Sequence, residues 1–226
     1  MAGRLKDKVA IVVGAGSSGP GGGNGKCTAV TFAREGAKVM CVDLKRAAAE
    51  ETVGLITKEG GEAIPFEADS SKNADVKAMV DACLAKWGRI DILDNNVGIG
   101  STGGPVELSE DEWHQVFDVN VKSFFLTAKH VLPVMEKQGR GAIVNVSSIA
   151  SIRSPKGVSY IAYNASKGAV NSLKEADAVT GVVEAAAVAA MRAIVEDALR
   201  HASRVVWLDV LPYASCTEPT CNPATL

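Results

Sequence analysis

Short apolar runs alternate with amphipathic helical periods from Val9 to Leu173. The first run, Val9-Ala10-Ile11-Val12-Val13, is continuous and mostly β-branched, as in a strand buried on both faces. Helical spacing follows over Lys26 to Glu35 and stops at Gly36, and a second run, Lys38 to Val42, ends at Asp43. Lys45 to Lys58 predicts a helix halted by Gly60-Gly61, and Ala63 to Glu67 a short strand leading to Ala68-Asp69. Ser71 to Trp87 predicts an amphipathic helix with Val76, Met79, Val80, Cys83, Leu84 and Trp87 on one face. Ile90 to Leu93 predicts strand four. Ser109, with Glu112 three residues on, has the form of a capping box opening a long helix. Ala142 to Val146 predicts strand five, and Tyr160 to Leu173 another helix.

This alternation predicts an α/β fold, a doubly wound parallel sheet with right-handed crossovers and helices on both faces. Ligands of such sheets bind beyond the carboxyl ends of the strands. One edge then collects the loop after Val13, Asp43, Asp69, Asn95-Asn96-Val97-Gly98 and Ser147-Ser148. No repeat or linker divides the chain before Leu173. Beyond it the pattern changes: Val182 to His201 predicts an alanine-rich helix, Arg204 to Leu211 a strand, and Ala214 to Leu226 nothing regular. The expectation is a single domain, with residues 1–173 carrying the ligand site and 174–226 an atypical C-terminal segment of the same domain.

Composition narrows the function classes. The chain has 226 residues, 47% of them apolar and 22% charged, with a formal net charge of −2. That balance supplies no basic face for a nucleic acid. No apolar stretch approaches the roughly 20 residues of a membrane span, and no leader pattern precedes Val9. A cytoplasmic protein is expected. The five cysteines, Cys27, Cys41, Cys83, Cys216 and Cys221, fit reduced thiols, and the scattered His114, His130 and His201 offer no metal-ligand spacing.

The loop after the first strand is the densest chemical feature: Gly14-Ala15-Gly16-Ser17-Ser18-Gly19-Pro20-Gly21-Gly22-Gly23-Asn24-Gly25. Strand, glycine loop, helix, strand and acid, in that order, suit a dinucleotide. Glycines let backbone approach a pyrophosphate, the helix N-terminus offers free N–H groups, and Asp43 is placed for a ribose 2′-hydroxyl. A 2′-phosphate would meet like charge there, which favours NAD over NADP. A Walker A loop fits less well: Gly25-Lys26 matches, but Pro20 occupies its first glycine position and Cys27 replaces its magnesium-binding hydroxyl.

Farther on, Tyr163 and Lys167 lie four apart, on one face of the predicted helix. A cation beside a phenol stabilises its phenolate, as acid/base chemistry on a substrate oxygen requires. Alone the pair is also the commonplace of an exposed helix. Ser148 at the end of strand five adds a hydroxyl able to bind the same oxygen. Tyr160 has Asn164 four residues on, which cannot serve as the cation.

Together these residues resemble the short-chain dehydrogenase/reductase family from Gly3 to Leu173. Gly14, Gly23 and Gly25 are similar to its T-G-x-x-x-G-x-G loop, and Asn95-Asn96-Val97-Gly98 resembles its N-N-A-G segment. Asn120, Ser148, Tyr163 and Lys167 match its catalytic set. The resemblance implies a Rossmann-like fold and hydride transfer between NAD and a secondary alcohol or its ketone. Tyr163 would exchange the proton, Lys167 would assist it and bind ribose, Ser148 would orient the substrate, and Asn120 would hold a relay water. Cofactor contacts are implied for Gly14, Ser17, Gly23, Asn24, Gly25, Asp43, Asp69, Ser70, Asn96, Gly98, Tyr163 and Lys167. A homodimer or homotetramer is implied too, packed through the long helix and the Tyr163 helix. The chain departs from the family at Val13, at an insertion over Ser18 to Gly22, at Val97, and in a wider Ser148–Tyr163 interval around Ser154 to Gly157. The segment after Leu173 departs most, through divergence or a shifted reading frame. That leaves a second reading open: a dinucleotide-binding protein without turnover.

Overall fold

A computed structural model describes residues 3–17, 23–152 and 159–173. Five parallel strands form its spine: β1 (Val9–Val13), β2 (Lys38–Asp43), β3 (Ala63–Glu67), β4 (Ile92–Asn95) and β5 (Ala142–Asn145). Their order is β3-β2-β1-β4-β5. The chain winds outward from β1 to β3, then returns to the other side of β1 as β4. The crevice beyond the carboxyl ends of β1 and β4 is therefore the switch point at which doubly wound sheets take ligands.

Every residue of β1 is buried, which explains its unbroken apolar run. Ala10 and Val12 share a core with Ala29 and Phe32 of α1 (Asn24–Arg34) and with Ala49 and Ile56 of α2 (Arg46–Lys58). Val9, Ile11 and Val13 share another with Val76 and Met79 of α3 (Asn73–Trp87) and with Val131 and Met135 of α5 (Ser123–Gln138). Cys41 and Cys83 are free thiols, one in each core, and burial pushes both up to about 12.

Element boundaries move where polar side chains intervene. α1 starts at Asn24, ahead of the expected Lys26, with Gly23 as its extended N-cap. α3 starts at Asn73 because Asp69 Oδ1 holds both the amide and the hydroxyl of Ser71 in a turn. Strand four is Ile92–Asn95, not Ile90–Leu93. Gln138 Oε1 accepts from Ile90 N, and Gln138 Nε2 donates to Ile90 O, so both main-chain groups are taken before the ladder begins. The strand then continues through two polar residues that an apolar pattern excludes. Ser109 and Glu112 form the expected capping box of α4 (Glu110–Phe117). The long helix is not uniform: a π-helical turn, Asp118–Lys122, joins α4 to α5. α6 (Ile161–Leu173) begins after Tyr160, which bridges Gly103 instead of entering the helix. The Ser18–Gly22 insertion, the Ser154–Gly157 loop, the Val182–His201 helix and the Arg204–Leu211 strand lie outside the described residues. Among those described, no helix is long and apolar enough to cross a membrane.

Candidate active site

The glycine loop closes on itself so tightly that side chains have no room. Gly14 has φ +82, and a Cβ there would lie 2.9 Å from Val97 N, beyond β4. A Cβ on Gly16 would sit 2.6 Å from Asp43 Oδ2, one on Gly23 2.9 Å from Gly16 O, and one on Gly25 would collide with Gly14 O. Backbone thus packs on backbone from β1 across to α1 and β4. Ser17 borders Gly23 at the rim of this cradle.

The α1 N-terminus opens into the same place. Gly23 supplies no side-chain cap, and the first turn carries no acid. Among the described residues no side chain caps the leading N–H groups, which with the positive end of the helix dipole suit an anion. Asn24 and Gly25 occupy that first turn. Lys26 is committed elsewhere, its Nζ lying 2.7 Å from Glu51 Oε1 of α2, so a Walker A loop would lack its lysine. No group of three or more His, Cys, Asp or Glu residues able to hold a metal ion occurs among the described residues.

Asp43 ends β2 with Oδ2 accepting from Gly16 N at 3.0 Å and Oδ1 from Lys45 N at 3.0 Å. Both oxygens keep a lone pair for sugar hydroxyls. This cradle and its acid fit a dinucleotide. Asp69, after β3, has its Oδ1 engaged by Ser71 and its Oδ2 3.2 Å from Lys72 Nζ. Burial works against its charge, and Ser71 and Lys72 more than offset it, so its pKa is lowered. Ser70 beside it is buried.

The second half of the site lies across β4 and β5. Ser148 leaves β5 in extended conformation and accepts from Ala150 N at 3.2 Å, starting a short 3-10 turn, Ile149–Ser151. Asn171 Nδ2 on α6 donates to Ser151 Oγ and ties that turn to the helix. Tyr163 lies in the first turn of α6 and Lys167 in the next. Lys167 is 4% exposed, and its ammonium donates to Val146 O at 2.8 Å. It stands 5.9 Å from the Tyr163 ring centroid and 5.5 Å from that of Phe124. Burial lowers its pKa to about 8, leaving it mostly charged at neutral pH. A Cβ on Gly98 would approach Lys167 Nζ to 3.3 Å and Asn120 Oδ1 to 3.5 Å. The glycine of the Asn96-Val97-Gly98 turn therefore admits the two polar groups together.

Asn120 sits in the π-helical turn and is fully buried. Its Oδ1 accepts from Ile99 N, and its Nδ2 donates to Ile99 O and Ser166 Oγ, at 2.8, 2.9 and 3.0 Å. Both amide hydrogens are used, so toward a water this side chain offers only acceptor capacity. Its visible work is to pin the β4 loop to α6. Gly16, Phe124 and Val146 also belong to the site. Gly16 is foreshadowed only by its place in the glycine loop; the other two look like ordinary apolar positions in the sequence.

The sequence matches the family described as short chain dehydrogenase over residues 8–203. That match passes Leu173, so the departure is less abrupt than the sequence pattern suggests. The uncharacterized oxidoreductase YxbG of Bacillus subtilis is 38% identical over 178 residues, 78% of this chain and 62% of the relative. The chain thus spans about six tenths of that relative's length. The crystal structure of a putative short-chain dehydrogenase/reductase from Burkholderia xenovorans superposes with TM-score 0.76 at 46% identity, covering 79% of this chain and 70% of that one. A 7α-hydroxysteroid dehydrogenase, complexed with NADH and 7-oxo glycochenodeoxycholic acid, gives TM-score 0.70 at 34% identity, covering 76% and 64%.

Proposed function

Since the chain belongs to the short-chain dehydrogenase/reductase family, we propose that it is an NAD-dependent oxidoreductase interconverting a secondary alcohol and its ketone. The carrying observation is the buried Lys167 ammonium, held on Val146 O beside the Tyr163 ring. Gly14, Ser17, Gly23, Asn24 and Gly25 hold the pyrophosphate half of the cofactor. Asp43 takes the adenosine ribose, Asp69 and Ser70 the adenine side, and Asn96 and Gly98 the nicotinamide side. The nicotinamide ring, when bound, supplies the hydride acceptor or donor.

Tyr163 exchanges the proton at the substrate oxygen, and its phenolate form is favoured by the adjacent cation. Lys167 provides that cation and a contact to ribose. Ser148 donates its hydroxyl hydrogen to the same substrate oxygen. Asn120 keeps the loop and helix in register and leaves acceptor capacity for a relay water. The single domain assembles as a homodimer or homotetramer through α4, α5 and α6. The half-exposed Phe125 of α5 and the stacked Trp113–Phe117 pair of α4 support this. The free Cys41 and Cys83 suit a reducing cytoplasm.

The test is a fluorescence titration with NADH and NADPH, followed by alcohol-dependent NADH formation in wild type and Tyr163→Phe. NADH should bind much more tightly than NADPH. The variant should keep that binding and lose turnover by at least about 100-fold. NADH binding with no turnover on any secondary alcohol would leave a dinucleotide-binding protein and overturn the enzyme assignment.

A further inference from the structure

Asp94 is a carboxylic acid inside the sheet. β1 and β5 flank it with Val12 and Val144 at its own register, and it is fully buried. Its Oδ2 accepts from Asn96 Nδ2 at 3.1 Å, while its Oδ1 has no hydrogen-bond partner among the described residues. Residues two apart on a strand share a face, so the acid lies directly behind the amide at the strand's exit. That exit borders the cofactor cradle, since Val97, the next residue, packs under Gly14. Asn96 is half-buried, and its amide oxygen takes no hydrogen bond from a described residue.

No described charge neutralises this acid. On β2, beyond β1, the group in register is the Cys41 thiol. On α1, Lys26 is paired with Glu51 of α2; where α1 ends, Glu35 is paired with Arg4. On α6, the Lys167 ammonium is held by Val146 O. Burial raises the Asp94 pKa to about 7, with Asn96 alone opposing it.

We propose that Asp94 is a proton-linked positioning residue of the dinucleotide site, setting which end of the Asn96 amide faces the crevice. This rests on the dinucleotide reading given above. An ionised Asp94 accepts from Asn96 Nδ2 and leaves the amide oxygen outward. A protonated Asp94 donates its O–H to Asn96 Oδ1, and the turned-over amide presents Nδ2 outward. The only bond made or broken is the acid's O–H, with solvent as proton source. An anionic dinucleotide meets a buried negative charge and an acceptor in the first state, and neither in the second. Both differences favour the protonated form. NADH binding therefore takes up protons and tightens as pH falls through neutrality.

The experiment is NADH fluorescence titration of wild type, Asp94→Asn and Asp94→Val from about pH 6 to pH 8.5, with calorimetry in two buffers of different ionisation enthalpy. A linkage approaching one pKa unit predicts that the wild-type Kd rises about fivefold or more across this range. Both variants should be flat to within about twofold and should lose the buffer-dependent proton uptake. A flat wild-type profile, or an unchanged slope in the variants, overturns the proposal while leaving NADH binding intact. Absence of saturable NADH binding at every pH removes the underlying reading and this proposal together. Should both variants fail to fold, carboxyl-carbon NMR of aspartate-labelled wild type decides. A carboxyl titrating near neutrality and moved upward by NADH supports the proposal; the lack of one overturns it.

Discussion

Replacing Asp94 by valine should stabilise the protein, and by more as pH rises. Valine stands on either side of this position, at Val12 and Val144, so the replacement side chain suits its surroundings. The wild-type acid is raised from 3.8 to about 7 on folding, chiefly by burial. Below the unfolded value both states are protonated and ionisation costs nothing. As pH rises from about 4 to about 7 the unfolded state ionises while the folded state holds its proton, so wild-type stability falls. Above about 7 the loss is complete, at roughly 4 kcal/mol for a shift of about three units. Between about pH 5 and pH 8 the part that changes is roughly 2–3 kcal/mol. Urea unfolding of wild type and Asp94→Val at each pH measures it, and the difference between the two proteins removes every other titrating group. In thermal terms the gap should widen by about 5–10 °C over the same range. A gap constant to within about 0.5 kcal/mol, or one that closes as pH rises, would refute the reasoning.

Gly25→Ala should lower stability by about 1–3 kcal/mol, because the new methyl meets the Gly14 carbonyl and no side chain can yield; a melting curve and an NADH titration should both register it. Asn120→Ala strands the amide and carbonyl of Ile99 and frees Ser166, which should cost about 2–3 kcal/mol in urea unfolding. Lys167→Met relieves a buried cation whose pKa falls from 10.5 to about 8. The wild-type penalty is present below about pH 8 and fades as pH rises toward 10.5, since the unfolded state then binds more protons. The variant's stability advantage should therefore shrink by about 2 kcal/mol between about pH 7 and pH 10, read by the same unfolding assay.

The layered architecture was legible because β1 to β3 and α1 to α3 follow rules that act locally: apolar runs for strands buried on both faces, helical periods, and glycines at stops. The glycine loop and the Tyr163–Lys167 spacing were legible for the same reason. What escaped depends on partners distant in sequence. β4 extends through Asp94 and Asn95 because Thr127 Oγ1 donates to Asn95 Oδ1, and Asn95 Nδ2 donates to Asn145 Oδ1. A pattern of apolar positions stops at Leu93, where the polar residues begin. The π-helical turn at Asn120 has no local mark either. It goes with an asparagine whose partners, Ile99 and Ser166, come from opposite directions along the chain.

These distant partners converge on one short run, Asp94 to Ile99, and give the site its unity. Asp94 reaches Asn96 on one face of the sheet, and Asn95 reaches Thr127 and Asn145 on the other. Val97 lies under Gly14 of the glycine cradle, Gly98 against Lys167, and Ile99 on Asn120. Successive residues thus contact the glycine loop, the buried Lys167 and the π-helical turn that carries Asn120. A small displacement of this run must be felt at the cradle and at Lys167 alike, because its neighbours are backbone, a buried amide and a lysine already held on Val146 O. That is why a buried acid at its base, two residues before Asn96, is expected under the proposed function to alter dinucleotide affinity rather than stability alone.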